Sequence, residues 1–146
     1  MKRFFLTTAL LLTAGATAFG QTAKPGGEEA DVRRAVESYL HGLKFNDVES
    51  LKKAFWPEAK LFFVKNDGKL GQLTQSQWYE GFAASAGKEE KGDLKITAVD
   101  MTGNAASVKV EEDYPGSVYI DYLSLLKFDG EWRIVNKIYT SRRKKP

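Results

Sequence analysis

The stretch Asp121-Tyr122-Leu123-Ser124-Leu125-Leu126-Lys127-Phe128-Asp129-Gly130-Glu131-Trp132-Arg133-Ile134-Val135-Asn136-Lys137-Ile138 decides the fold. Two apolar-rich runs flank Asp129-Gly130, a pair suited to a two-residue hairpin turn because both central residues of that turn need a positive φ. Such a turn pairs Phe128 with Glu131, Leu125 with Ile134, Leu123 with Asn136 and Asp121 with Ile138. Strand alternation then places Asp121, Leu123, Leu125, Trp132, Ile134, Asn136 and Ile138 on one face. Tyr122, Ser124, Leu126, Arg133, Val135, Lys137 and Tyr139 fall on the other. The first face is the more apolar and is expected to pack against helices. Asp121 and Asn136 become polar groups in an apolar wall, and buried polar groups must find partners; a ligand is one way to supply them.

Outward from the hairpin, the strand Ser117–Phe128 follows Pro115-Gly116, and the last strand is expected over Glu131–Thr140. Strands are also read at Leu94–Met101 and Ala105–Asp113, around the turn Thr102-Gly103-Asn104. Gly87–Gly92 is a charged loop. Thr74–Ala86 reads as a helix with Trp78 and Phe82 four residues apart on one face. Lys60–Lys65 reads as a strand running into the turn Asn66-Asp67-Gly68. Val32, Val36, Tyr39, Leu40 and Leu43 recur at helical spacing within a helix from Glu29 to Lys44. Asn46-Asp47 breaks it, Asp47 caps a short second helix through Phe55, and Pro57 ends that helix. The order predicts an α+β domain in which three helices pack on one side of a curved, mostly antiparallel sheet.

The chain has 146 residues, one His and no Cys. A disulfide scaffold, a thiolate nucleophile, a Cys-based zinc site and a multi-histidine metal site within one chain are therefore excluded. The first twenty residues read as a secretory signal: Lys2 and Arg3, an apolar run from Phe4 to about Leu12, and Ala18-Phe19-Gly20 before Gln21. The run is too short to span a bilayer, which takes about 20 residues. A secreted or periplasmic protein of 126 residues is expected, with no membrane contact after cleavage. The expected organisation is a signal over 1–20, a linker over 21–28, a domain over 29–141 and a basic tail over 142–146. Loss of Lys2 and Arg3 leaves 20 basic against 19 acidic residues, and Arg142, Arg143, Lys144 and Lys145 supply four of the basic ones. The body of the domain is thus slightly acidic and lacks the clustered basic face that nucleic acid requires. The tail is expected to be frayed.

Tyr39 on the first helix, Asn46-Asp47-Val48-Glu49-Ser50-Leu51, and Phe55-Trp56-Pro57-Glu58-Ala59 resemble the opening of the nuclear transport factor 2-like superfamily. Asp121–Lys127 and Asp129–Lys137 are similar to its branch named "putative lumazine-binding". The likeness runs from Ala30 to Thr140. It implies a cone, a curved sheet wrapped around helices, with a pocket at the open end and dimers formed through the sheet. Within this superfamily the ketosteroid isomerase branch tests a specific chemistry. Gapless counting places its oxyanion tyrosine at Tyr39, its general-base aspartate at Phe63, and its second acid within Leu123–Leu126, where no residue is acidic. Proton abstraction next to a carbonyl needs a base within reach, and Phe63 is none. The branch also often has His where Trp56 stands.

The candidate ligand-binding residues are accordingly Tyr39, Trp56, Phe63, Trp78, Asp121, Trp132 and Asn136, with no catalytic residue, no metal site and no cofactor. The aromatics, with Phe82, read first as core, since they supply the apolar area a small domain needs. Trp56 also fits a role covering a helix end. Asp121 carries two readings side by side: contact with a ligand, or pairing with a lysine or a backbone group. His41 lies about 200° around the helix from Tyr39 and is expected to be exposed. Glu111-Glu112-Asp113 looks like a calcium-type carboxylate run, but alternation splits it across two faces. The leading expectation is a secreted domain that binds a small apolar or aromatic molecule, or serves as a scaffold, as a homodimer. The alternative is a dehydratase, isomerase or cyclase using Tyr39 and Asp121 as acid and base.

Overall fold

The computed structural model describes residues 27–145. The expected signal over 1–20 and most of the expected linker lie outside the described residues. The helix α1 (Gly27–Phe45) buries Val32, Val36, Tyr39 and Leu43, one stripe of the predicted periodicity. Asn46, in the left-handed region at φ 50°, turns the chain. Asp47 then caps α2 (Val48–Ala54), its Oδ1 accepting from the amides of Glu49 and Ser50.

The strands are β1 (Phe55–Val64), β2 (Leu70–Thr74), β3 (Asp93–Thr102), β4 (Ala105–Asp113), β5 (Ser117–Phe128) and β6 (Glu131–Arg143). They form one curved, open sheet in the order β2-β1-β6-β5-β4-β3. Only β1 and β6 run parallel. Between β2 and β3, α3 (Gln75–Tyr79) opens with a capping box of Thr74 and Gln77 and continues into a 3-10 turn (Glu80–Ser85). Thr74–Ala86 is therefore one helical segment of two kinds. The core joins α1 and α2 to one face of the sheet through Leu51, Phe55, Val108, Val110, Leu123, Leu125, Trp132 and Ile134.

Four expectations are corrected. Pro57 does not end a helix: the strand already begins at Phe55, and Pro57 sits in its first, exposed part. Leu70–Thr74, not read as a strand, pairs with Lys60–Val64 across the expected turn. The tail is not frayed at its start, since Arg142 and Arg143 pair with Val118 and Ser117. The Lys144 amide donates to the Gly116 carbonyl at 3.0 Å, and its ammonium pairs with Asp113.

The fourth correction matters most. The hairpin begins as predicted, Phe128 opposite Glu131 and Leu125 opposite Ile134. The next partners are Ser124 and Asn136, then Leu123 and Lys137, then Asp121 and Tyr139. Val135 is thus an extra residue, a β-bulge, and every side chain beyond it changes face. Lys137 becomes buried while Ile138 is 49% exposed. Asn136 joins exposed Ser124 on the outer face, and Tyr139 turns inward.

Candidate functional site

Tyr39 projects from α1 onto the sheet and is fully buried, its ring edge-to-face with Phe55 at 5.4 Å and tilted against Trp78 at 6.1 Å. Three buried ionisable side chains meet its hydroxyl: Glu112 from β4, Asp121 from β5 and Lys137 from β6. Glu112 and Asp121 reach the inner face by alternation with Val108, Val110, Leu123 and Leu125; Lys137 reaches it through the bulge. The Lys137 ammonium donates to the Tyr39 hydroxyl oxygen at 2.6 Å and pairs with Asp121 Oδ2 at 2.6 Å. Glu112 Oε1 lies 2.8 Å from the same hydroxyl, and Asp121 Oδ2 contacts it as well.

Proton counting orders this cluster. A phenol has one proton to donate and two lone pairs to accept with. Donated to Asp121, that proton leaves the oxygen to accept from Lys137 and from Glu112, so Glu112 must bring a proton of its own. Electrostatics points the same way. Burial first, and then the Asp121 charge, push the Glu112 carboxyl up to about 8 against the opposing pull of Lys137. Burial, followed by the two carboxyl groups, also lifts Tyr39 well above the ordinary phenol range, so it remains a neutral donor. The cluster therefore combines the Lys137–Asp121 ion pair with a Glu112 carboxyl that favours its acid form and a neutral phenol. An ion pair buried this deeply is weak evidence of selection for stability. Strongly perturbed groups beside a cleft are characteristic of functional sites.

Such a cleft lies against the cluster, about 650 Å³ in volume. Glu112 and Lys137 border it, whereas Tyr39 and Asp121 stand behind them. Trp78 and Phe82 line it from the helical side, Tyr119 and Tyr139 from the sheet, and Tyr114 from the turn between β4 and β5. The loop carrying Glu89, Glu90 and Lys91 closes one edge. Asn46 holds that loop, its side-chain amide donating to the Lys88 carbonyl at 2.9 Å and to Glu90 at 3.0 Å. Lys137 Nζ also sits 5.4 Å from the Trp78 ring and 5.0 Å from that of Tyr139, within cation–π range.

Of the residues singled out in the sequence, the structure brings together Tyr39, Asp121 and Trp78. Phe63 stacks on Tyr139 at 5.2 Å, in an adjoining groove. Trp56, 40% exposed, packs edge-to-face on Phe128 at the opposite end of the strand. Trp132 is a core residue whose indole N–H donates to Glu28 at 3.0 Å. Asn136 is on the outer face, away from the cleft. His41 is exposed near Asp47, at 3.7 Å, as helical geometry implied. The carboxylate run splits as expected: Glu111 turns outward to Lys95 at 3.0 Å and Glu112 inward. No group of three or more His, Cys, Asp or Glu able to hold a metal occurs among the described residues. Sequence reasoning missed Glu112 and Lys137 as site residues. Glu112 had a signal, since Ala106, Val108, Val110 and Glu112 share one strand face.

A curved open sheet around helices is the nuclear transport factor 2-like architecture. The chain belongs to the "Putative lumazine-binding" family, whose model matches residues 27–140. It is similar to a nuclear transport factor 2-like protein of unknown function from Shewanella baltica OS155, with 26% identity and a TM-score of 0.73 over 80% of this chain and 95% of that one. A counterpart from Silicibacter pomeroyi DSS-3 gives 27% and 0.69 over 78% and 95%. A curated relative, aldolase FrzH from Cladobotryum sp, is 28% identical over 105 residues, 70% of this chain and 82% of that protein.

Proposed function

We propose that this protein binds a small organic molecule in the cleft floored by Glu112 and Lys137, with an aromatic or conjugated body between the rings and an oxygen at the polar end. One observation carries the reading: a buried, mutually hydrogen-bonded polar cluster behind the cleft presents two of its four members to it. Lys137 offers a fixed N–H donor, and Glu112 a carboxylic acid that can donate or accept. Aromatic rings on both sides suit a flat ligand. The family's name is in keeping with small-molecule binding.

Export and dimerisation belong to the same proposal. The N-terminal pattern of Lys2, Arg3 and the apolar run addresses the chain to the secretory route. The outer face of the sheet carries an apolar patch of Leu70, Val64, Ile138 and Tyr122, each at least 45% exposed, with Leu126 further along β5 beyond Ser124. A second copy of the chain would cover it.

The enzymatic alternative has support of its own in the buried acid–base cluster and in a relative that is named an aldolase. The groups that would meet a substrate are then Glu112 and Lys137 rather than Tyr39 and Asp121. The binding reading is tested by mass spectrometry of small molecules released from protein purified from its native cell envelope. A conjugated carbonyl or enol compound retained by the wild type and lost from Trp78→Ala and Lys137→Met is expected. Retention unchanged in both variants would remove the cleft as the site.

A further inference from the structure

The cleft does not end at its own rim. We propose that it continues into a second hollow and that the two together take one elongated ligand. That ligand places a neutral oxygen at Lys137, an aromatic body in the middle, and an anionic group such as a carboxylate at Lys65. The inference rests on the cleft being the ligand site and names the class of ligand that fills it.

The inner face of β6 lays out the path. Strand alternation past the bulge puts Lys137, Tyr139 and Ser141 on that face in turn. Lys137 borders the first hollow, Tyr139 borders both, and Ser141 borders the second, which measures about 530 Å³. Tyr119, opposite Ser141 on β5, also lines both. The wall they share is therefore a pair of rings with centroids 6.4 Å apart, and Phe63 extends it by stacking on Tyr139 at 5.2 Å. Lys137 and Ser141 stand four residues apart, about 13 Å along the strand at roughly 3.3 Å per residue. Two fused rings cover only part of that distance, so a ligand that reaches both ends needs a chain beyond its rings.

Charge sets the direction of the ligand. The first hollow is lined by Glu89, Glu90 and Glu112 against Lys91 and Lys137, and Asp121 already pairs with Lys137 at 2.6 Å. An added anion meets an excess of carboxyl groups there. Among the described residues that line the second hollow, Lys65 alone is charged. It stands just past the end of β1. The neighbouring carboxylate, Asp67, is turned to Lys69 instead, at 3.8 Å. The Asn66 side-chain amide and the Ser141 hydroxyl add N–H and O–H donors at the same end. One cation and two neutral donors suit a carboxylate, whose oxygens only accept.

The test compares three probes on the chain from Gln21 onward, the form expected after export: 2-naphthol, 6-hydroxy-2-naphthalenepropanoate, and the primary amide of that acid. Each carries the oxygen and the rings, the last two add the chain, and the propanoate alone adds the charge. Affinities are read by titration calorimetry. The propanoate is expected to bind at least about fivefold more tightly than the amide, the worth of one exposed ion pair. That preference should shrink in about 1 M NaCl, where exposed charges are screened. Lys65→Gln should bring the propanoate down to the amide, whereas Lys65→Arg should keep the preference. Binding of 2-naphthol alone, equal affinity for propanoate and amide in the wild type, or an undiminished preference in Lys65→Gln would overturn the inference and leave the binding proposal standing. Failure of all three probes to bind would overturn this inference and, with unchanged ligand retention in Trp78→Ala, the binding proposal too.

Discussion

Replacing Lys137 by Met probes the cluster most directly. The thioether chain fills much of the volume of the lysine stem but carries no charge, so Asp121, fully buried, loses its cation and Tyr39 loses a donor. Removing one partner of a buried ion pair costs about 3–5 kcal/mol, because the remaining charge is left without compensation. For a domain of this size that lowers Tm by roughly 10–20 °C. Adding Asp121→Leu removes the orphaned charge and should recover at least half of the loss, since a well-packed apolar pair often replaces a buried ion pair without cost. Urea unfolding followed by tryptophan fluorescence at pH 7 reads both variants. A penalty under about 1 kcal/mol for Lys137→Met, or no recovery in the double variant, would refute the reasoning.

Three further outcomes are expected. Glu112 has a folded-state value of about 8 against an ordinary 4.5, so its contribution is fully present below pH 4.5 and is lost as pH rises through 8. At about 1.4 kcal/mol per pH unit this amounts to at most roughly 5 kcal/mol, and unfolding of Glu112→Gln between pH 5 and 9 should show a flatter profile than wild type. Sedimentation equilibrium should return about twice the mass of the 126-residue chain, and Ile138→Arg, in the outer apolar patch, should return the monomer; a monomeric wild type at high micromolar concentration would contradict this. Intact mass of protein from the native cell envelope should place the N-terminus at Gln21 or a near neighbour, and full-length protein in the cytoplasm would speak against export.

Much of the architecture was legible because local chemistry and tertiary packing agree along most of the chain. Asp47 caps its helix, Val32, Val36, Tyr39 and Leu43 mark one buried stripe, and Asp129-Gly130 makes the turn with both residues at positive φ. The boundaries of β4 and β5 fall where alternation placed them. What misled was Pro57, whose helix-ending character was assigned to the segment before it. β1 instead meets β6 with a register irregularity between Phe55 and Lys60, and Pro57 occupies that irregular stretch, where a missing N–H costs nothing in the ladder. Leu70–Thr74 was too short and too polar to announce itself, and it forms because Lys60–Val64 offers it an edge.

The site was half legible, for a sharper reason. Strand periodicity is a strict two, so a reading of faces carries forward correctly until one residue is inserted and is then wrong at every position beyond. Asp121 precedes the bulge and was placed correctly on the inner face, and Tyr39, read as core or pocket, is buried against it; Glu112 was weighed only within a metal-type carboxylate run. Lys137 lies two residues past the bulge at Val135, and no residue type marks that bulge, since Val is an ordinary strand former. Regular pairing would have buried Asn136 and Ile138 beside Asp121 and put Lys137 in solvent, leaving a carboxylate facing an amide. The bulge exchanges that arrangement for an ammonium against the carboxylate and the phenol. Burial of Asp121 is compatible with a stable fold only in the second arrangement, because an unpaired charge in an apolar wall costs far more than one irregular ladder step. The pairing requirement of Asp121 is therefore the physical signal that selects the shifted register, and it was present in the sequence as a buried acid in need of a lysine.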